Sequence, residues 1–198
     1  MQVYRKRLCG FLVAAFVLAA WSQADATTLI RAGLDSLVKA NRTIVVGEVR
    51  DVHSYWNQEG TFILTDVRIQ ATDVLKGNPR DTDLTITILG GTVGDLTTLI
   101  VAGAELIPGK SYVLFLQEDN LPGVRGVRTV RQHAQGVFEV VKARDGVRAI
   151  SQASRHPLYP DALGFVDPPG GAKGLLLSDM VRSIRQIAGR QAALQEVR

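Results

Sequence analysis

One cysteine in 198 residues, Cys9, excludes any disulfide within the chain, and with it the small disulfide-stapled secreted scaffolds. Histidine is nearly as scarce. His53, His133 and His156 are scattered, with no H-E-x-x-H run and no paired i, i+4 spacing, so the sequence carries no zinc-ligand pattern. No G-x-S-x-G elbow occurs, and no cysteine after residue 9 is available as a nucleophile. The acidic residues Glu48, Asp66, Asp73 and Glu105 lie in separate segments, where solvated strand faces account for them. These absences point away from catalysis, and neither a metal nor a cofactor is expected.

The N-terminus is more informative. Arg5-Lys6-Arg7 precedes an apolar run from Leu8 to Ala20, and Ala24-Asp25-Ala26 places small residues at the −3 and −1 positions of a cleavage site. That pattern predicts a signal peptide over residues 1–26. The apolar run is too short for a bilayer span, which needs about 20 residues. Cys9 precedes the run, so it is not placed like a lipoprotein acylation cysteine. Cleavage after Ala26 removes 26 of the 198 residues and leaves 172, enough for one ordinary core with an extension. It also removes three basic residues and Asp25, lowering the formal charge from +4 to +2. So mild a charge argues against a nucleic-acid binder. The expected location is periplasmic or secreted, with no transmembrane span after cleavage.

Residues 27–150 are expected to form a β domain with a short leading helix. Ile30, Leu34, Leu37 and Val38 share a face of a predicted helix over Thr28–Ala40. From Thr43 the period becomes two. Thr43–Val49 is a β-branched, mostly apolar strand. In Ile63–Leu75, Ile63, Val67, Ile69 and Ala71 share one face, while Asp66, Arg68, Gln70 and Thr72 share the other. Leu84, Ile86 and Ile88 alternate with threonines. Ser111–Leu116 is apolar on both faces, as a central strand should be. Further strands are predicted at Val127–Arg131, Gly136–Lys142 and Val147–Ile150, with Asp145-Gly146 as a tight turn. Short turns between strands describe a small antiparallel barrel or sandwich. A Pro/Gly-rich connector over 151–177 then leads to an amphipathic helix over 178–198. Ser178 is its expected N-cap, Met180, Val181, Ile184, Ile187 and Ala188 its apolar face, and Gly189 the start of fraying.

The stretch Gly90-Gly91-Thr92-Val93-Gly94 follows an apolar strand, as nucleotide-binding loops do. A dinucleotide fingerprint, however, needs G-x-G-x-x-G opening a helix. Here the spacing is G-G-x-x-G and the following DLTTLIVAG has strand character. Gly109-Lys110-Ser111 lacks the upstream glycine of a phosphate-binding loop and leads into a strand. The glycines predict a bend between strands, and no nucleotide is expected to bind.

The order of IVVGEV at Ile44–Val49, TDVRIQATDVLKG at Thr65–Gly77, GGTVG, and PGKSYVLFL at Pro108–Leu116 resembles a group of exported, largely uncharacterised bacterial proteins. It is also distantly similar to the netrin-like domain of tissue inhibitors of metalloproteinases, an OB-fold barrel. The resemblance covers Thr43 to Leu116. It implies an OB-like barrel with extra strands and suggests an exported peptidase as partner. Those inhibitors place an N-terminal cysteine over the zinc of the protease. This sequence has no counterpart to it, so no functional position carries over.

Two features are candidates for binding. Tyr55-Trp56-Asn57 is expected in a loop after the first strand, where Tyr55 and Trp56 would anchor a partner or stack on a sugar. Arg125, Arg128 and Arg131 recur three apart in VRGVRTVR, which an extended loop could aim at an anionic partner. Both have plainer readings, Trp56 folded over the barrel mouth and the arginines as a solvated face. The leading reading is an exported, non-catalytic binding or accessory module, protein-binding and associated with a peptidase. The alternatives are an enzyme acting on cell-envelope polymers and a structural envelope component. Intact mass of exported protein should correspond to a chain starting at Thr27. Retention of residues 1–26, or a lipid-sized increment, would overturn the export reading.

Overall fold

The computed structural model describes residues 32–130, 133–155 and 173–196. The expected signal peptide and residues 156–172 of the expected connector lie outside these. The fold is mainly β, an eight-stranded antiparallel sheet with a short helix before it and a longer one after it.

Helix α1 spans Leu34–Ala40 and buries Leu37 and Val38; the expected first turn, from Thr28, lies outside the described residues apart from Ala32 and Gly33. Strands β1 (Thr43–Trp56) and β2 (Ile63–Lys76) form a long hairpin, and β3 (Asp83–Leu89) pairs with β2. A separate small hairpin, β4 (Gly91–Val93) and β5 (Leu96–Thr98), follows. Strand β6 (Ser111–Leu121) pairs with β1, with β7 (Val124–Val130) and with β8 (Val137–Ala143). Strand β9 (Gly146–Ser151) pairs with β8, and β10 (Leu175–Leu176) with β9. The helix α2 runs over Leu177–Glu196.

Strands β1 and β6 sit centrally because both of their faces are apolar. Val45 and Val49, with Tyr112, Leu114 and Leu116, enter one buried cluster together with Val67, Ile69, Leu84, Ile86 and Val130. The intervening Ile44, Val46, Val113 and Phe115 enter a second cluster with Phe138, Ala149 and both helices. In the latter, Phe115 and Phe138 meet edge-tilted, ring centroids 5.7 Å apart. Helix α2 contributes Met180, Ile184 and Ile187, while Arg182, Arg185 and Gln186 stay exposed. Its amphipathic face therefore packs on the chain's own sheet, as the period predicted.

Several boundaries differ from expectation. β1 continues seven residues beyond Val49, past a register shift between Val49 and Asp51. The shift explains why a strict alternation count ends there, since a bulge exchanges the two faces. Both ends of the expected connector belong to regular elements: Ser151 closes β9, and Leu175–Leu176 is a strand. Ser178 lies inside α2 rather than capping it, and the helix passes Gly189 without ending. A mid-helix glycine costs only about 1 kcal/mol, and the Gln, Ala and Leu residues after it favour helix. The segment after Gly94 is strand only over Leu96–Thr98.

The expected barrel is not closed by hydrogen bonds. β7 lies beside β3, yet no ladder joins them. A register shift between Asp119 and Leu121 bends the β6–β7 hairpin and breaks its regular pairing. Side chains span the seam instead: Val130 shares a cluster with Leu84 and Ile86, and Arg128 donates to Asp81 at 3.1 Å.

The glycine cluster forms the β4–β5 hairpin and opens no helix. The Gly90 N–H donates to Ile63 O at 2.8 Å, and Thr65 Oγ1 donates to Gly90 O at 2.6 Å. Gly91 has φ +131°, and a Cβ there would collide with Thr65 Oγ1 and Ser54 Oγ. Gly94, at φ +59°, faces open space. Gly94→Ala should therefore cost about 1 kcal/mol from the left-handed backbone alone. Gly91→Ala should cost about 3 kcal/mol or more. Denaturant unfolding checks this; equal losses would mean that the hairpin does not rest on the Ser54–Thr65 pair.

Candidate functional site

Tyr55 and Trp56 belong to β1 and not to a loop, a correction that separates their roles. Their pairing to Leu64 and Ile63 holds both on the ladder, and adjacent strand residues point to opposite faces. The Tyr55 hydroxyl donates to Asp66 Oδ1 at 3.1 Å, and Thr87 Oγ1 donates to the same oxygen at 2.7 Å. Partial burial, then the Asp66 charge, pushes the Tyr55 hydroxyl above its ordinary pKa. His53 stacks beside Tyr55, ring centroids 6.1 Å apart. Asp66 on β2 thus ties Tyr55 of β1 and Thr87 of β3 together.

Trp56 is 39% exposed, and Phe62, across the hairpin turn, is 41% exposed. The residue holding this turn is Asn57, which is buried. Its Oδ1 accepts from the Thr61 and Phe62 N–H groups at 2.8 and 3.0 Å. Its Nδ2 donates to Thr61 Oγ1 and to Pro122 O, in the β6–β7 turn. An asparagine amide can satisfy a turn in this way, and that chemistry was available from the sequence as a signal.

The β4–β5 hairpin is planted against the same end of β1 and β2, through Gly91. It presents Leu96 at 60% exposure, and the segment after it presents Leu99 at 87% and Val101 at 64%. Beneath it lies a cavity of about 490 Å³ whose wall includes Ser54, Thr65, Ile88, Ile100 and Leu106. The sequence pattern did not single out these exposed apolar residues, because a strand reading of DLTTLIVAG would have buried them.

Arg125 and Arg128 lie on β7, not in a loop. Arg128 is engaged by Asp81 at the β3 seam, while Arg125 is exposed. Arg131 lies outside the described residues.

The acidic candidates do not meet. Glu48 pairs with Arg50 at 2.6 Å, Asp66 accepts from Tyr55 and Thr87, and Asp73 takes both oxygens to Arg185 at 2.8 Å. A smaller cavity, about 240 Å³, is lined by Glu105, Lys110, Tyr112, Glu139 and Gln152 among others. In it Lys110 Nζ donates to Glu139 Oε1 at 2.9 Å, and the Ile107 N–H donates to the Tyr112 hydroxyl at 3.2 Å. Burial pushes the Tyr112 hydroxyl above its ordinary pKa. Among the described residues, no group of three or more His, Cys, Asp or Glu side chains could hold a metal ion. Nor is any helix among them long and apolar enough to cross a membrane. His156 lies outside them.

No protein-family model matches the chain, and no curated protein matches its sequence.

Asn57→Ala strips the side-chain acceptor from the Thr61 and Phe62 N–H groups, in bonds that are partly buried, and should cost about 2 kcal/mol. Trp56→Ala should cost less, since the indole is substantially solvated. Chemical denaturation of the two variants measures the difference. A larger loss for Trp56→Ala would make that side chain core rather than surface.

Proposed function

We propose that the chain is an exported, non-catalytic binding module on an OB-like, incompletely closed barrel. Its apolar end docks a protein partner, with an exported peptidase as the first candidate. The strand order supports the barrel reading. Passing from β1 through β2, β3, β7 and β6 returns to β1, with the β3–β7 seam alone lacking a ladder. That cycle is consistent with the netrin-like resemblance of Thr43–Leu116.

The observation that carries the docking role is the exposure of Trp56, Phe62, Leu96, Leu99 and Val101 on the β1–β2 turn and the hairpin planted beside it. Exposed apolar groups gathered on turns mark interaction surfaces more often than scattered ones do. A tryptophan at such a place is a suitable anchor, contributing upward of about 2 kcal/mol once buried at an interface. Tyr55 is better assigned to holding the strands, because Asp66 engages its hydroxyl.

The rival is an enzyme acting on envelope polymers, and it draws on the Glu139–Tyr112 cavity. Trp56→Ala/Leu99→Ser is the variant that decides between them. Co-purification from the exported proteins of the native cell should recover a peptidase with the wild type. The variant should lose it while its melting temperature stays near wild type. Recovery equal to wild type would sink the docking role. Hydrolysis of envelope polymer that Glu139→Gln abolishes would establish the rival.

A further inference from the structure

A second site lies at the other end of the β1–β2 hairpin. The end of α1, the start of β1, the end of β2 and the second half of α2 enclose an open groove of about 710 Å³, within the range of small-molecule sites. Lys39, Arg42, Lys76 and Arg185 line it, and among the described residues no carboxylate does. Two of these cations are neutralised from outside the groove, Lys39 by Asp35 and Arg185 by Asp73. The other two are not. Arg42 is exposed and has no ion pair among the described residues.

Lys76 is the unusual member. Its Nζ donates to Val38 O at 2.6 Å and to Gln191 Oε1 at 2.8 Å. Both acceptors are neutral, so among the described residues the partly buried ammonium has no counter-ion, and it keeps a third N–H. Burial accordingly holds it below its ordinary pKa. A partly buried cation without an opposite charge is costly, and an anion brought to it relieves that cost. Leu75 and Ala188 add an apolar wall beside the charges. Asn41 Oδ1, also at this groove, is buried without a partner.

We propose that this groove binds an amphiphilic anion, a carboxylate or phosphate head held by Arg42 and Lys76 with a short apolar stem against Leu75 and Ala188. Nothing in it depends on the docking role of the opposite end.

Calorimetric titration of the exported chain with octanoate, octyl phosphate and inorganic phosphate tests the idea. One octyl probe should bind saturably, more weakly as salt is raised, and the tighter probe identifies the head group. Inorganic phosphate should bind more weakly than octyl phosphate. Arg42→Gln should weaken the octyl probe about tenfold, the scale of one charged hydrogen bond. Arg144→Gln, which removes the same charge from the exposed β8–β9 turn, should leave affinity unchanged. Arg42→Gln/Lys76→Met should abolish binding. Lys76→Met could loosen the helices, so the Arg42→Gln and Arg144→Gln comparison carries the test alone if the double variant melts early. The proposal is overturned if neither octyl probe saturates, or if the two arginine variants behave alike. Equal affinity for inorganic and octyl phosphate would remove the apolar stem and overturn it as stated.

Discussion

Six residue pairs between Thr43–Glu48 and Ser111–Leu116 set the terms for the rest of the molecule. In this ladder the apolar side chains are committed, because alternate positions feed different cores. Val45 and Leu114 face the interior of the curled sheet, while Ile44, Val46, Val113 and Phe115 face the helices. A one-residue slip would exchange the two sets and misplace every shape that packs on them. Tight packing on both sides is what fixes the register. Helices α1 and α2 can dock only because the second face of this pair is apolar. Lone amphipathic helices of their lengths would be marginal in water.

The length of β1 then positions both ends. Its first half belongs to the double-sided ladder, and its second half pairs with β2 alone. Register shifts near Ile44, Val46 and Val49 allow the strand to bend between those duties. Past the last shift the buried Ile63, Leu64 and Val67 of β2 are joined by polar locks: Tyr55 and Thr87 on Asp66, Ser54 against Thr65 at 2.8 Å, and Asn57 across its own turn. The turn is therefore firm while Trp56 and Phe62 remain exposed, and a rigid presentation would lower the entropy lost in the docking proposed above.

What could be read from the sequence follows the same division. Period-two patterning revealed β2 and β3, which keep one register against each other, and the run apolar on both faces, Ser111–Leu116, revealed the central part of β6. The apolar face of α2 was equally legible from Met180, Ile184 and Ile187. The second half of β1 was hidden because the bulge after Val49 shifts its alternation and Arg50-Asp51 resembles a turn. The second half of β6, Gln117–Leu121, was hidden by its polarity, which reflects pairing with β7 alone. Leu175–Leu176 is too short for any pattern. Trp56 was legible as a candidate, but Leu96 and Leu99 were not, because exposure is a property of the hairpin's placement. The cationic groove was less legible still. Its residues come from 39–42, 75–76 and 185–195, which only the packing of α2 across the hairpin brings together.

The two ends also differ in what they ask of the fold. Fourteen residues of β1 separate them, roughly 40 Å at about 3.3 Å per residue before bending. Over that distance screened charges at the groove have no direct influence on the apolar end. Any coupling would have to travel through the β1–β2 ladder, whose central stretch packs into two buried clusters. Lys76 sets the likewise local cost at its own end: its ammonium holds Val38 O of α1 and Gln191 of α2 at once. An anion there would tighten the helix pair against β2 and leave the Asn57 turn untouched. The architecture is one rigid hairpin serving two independent surfaces, one apolar and one cationic.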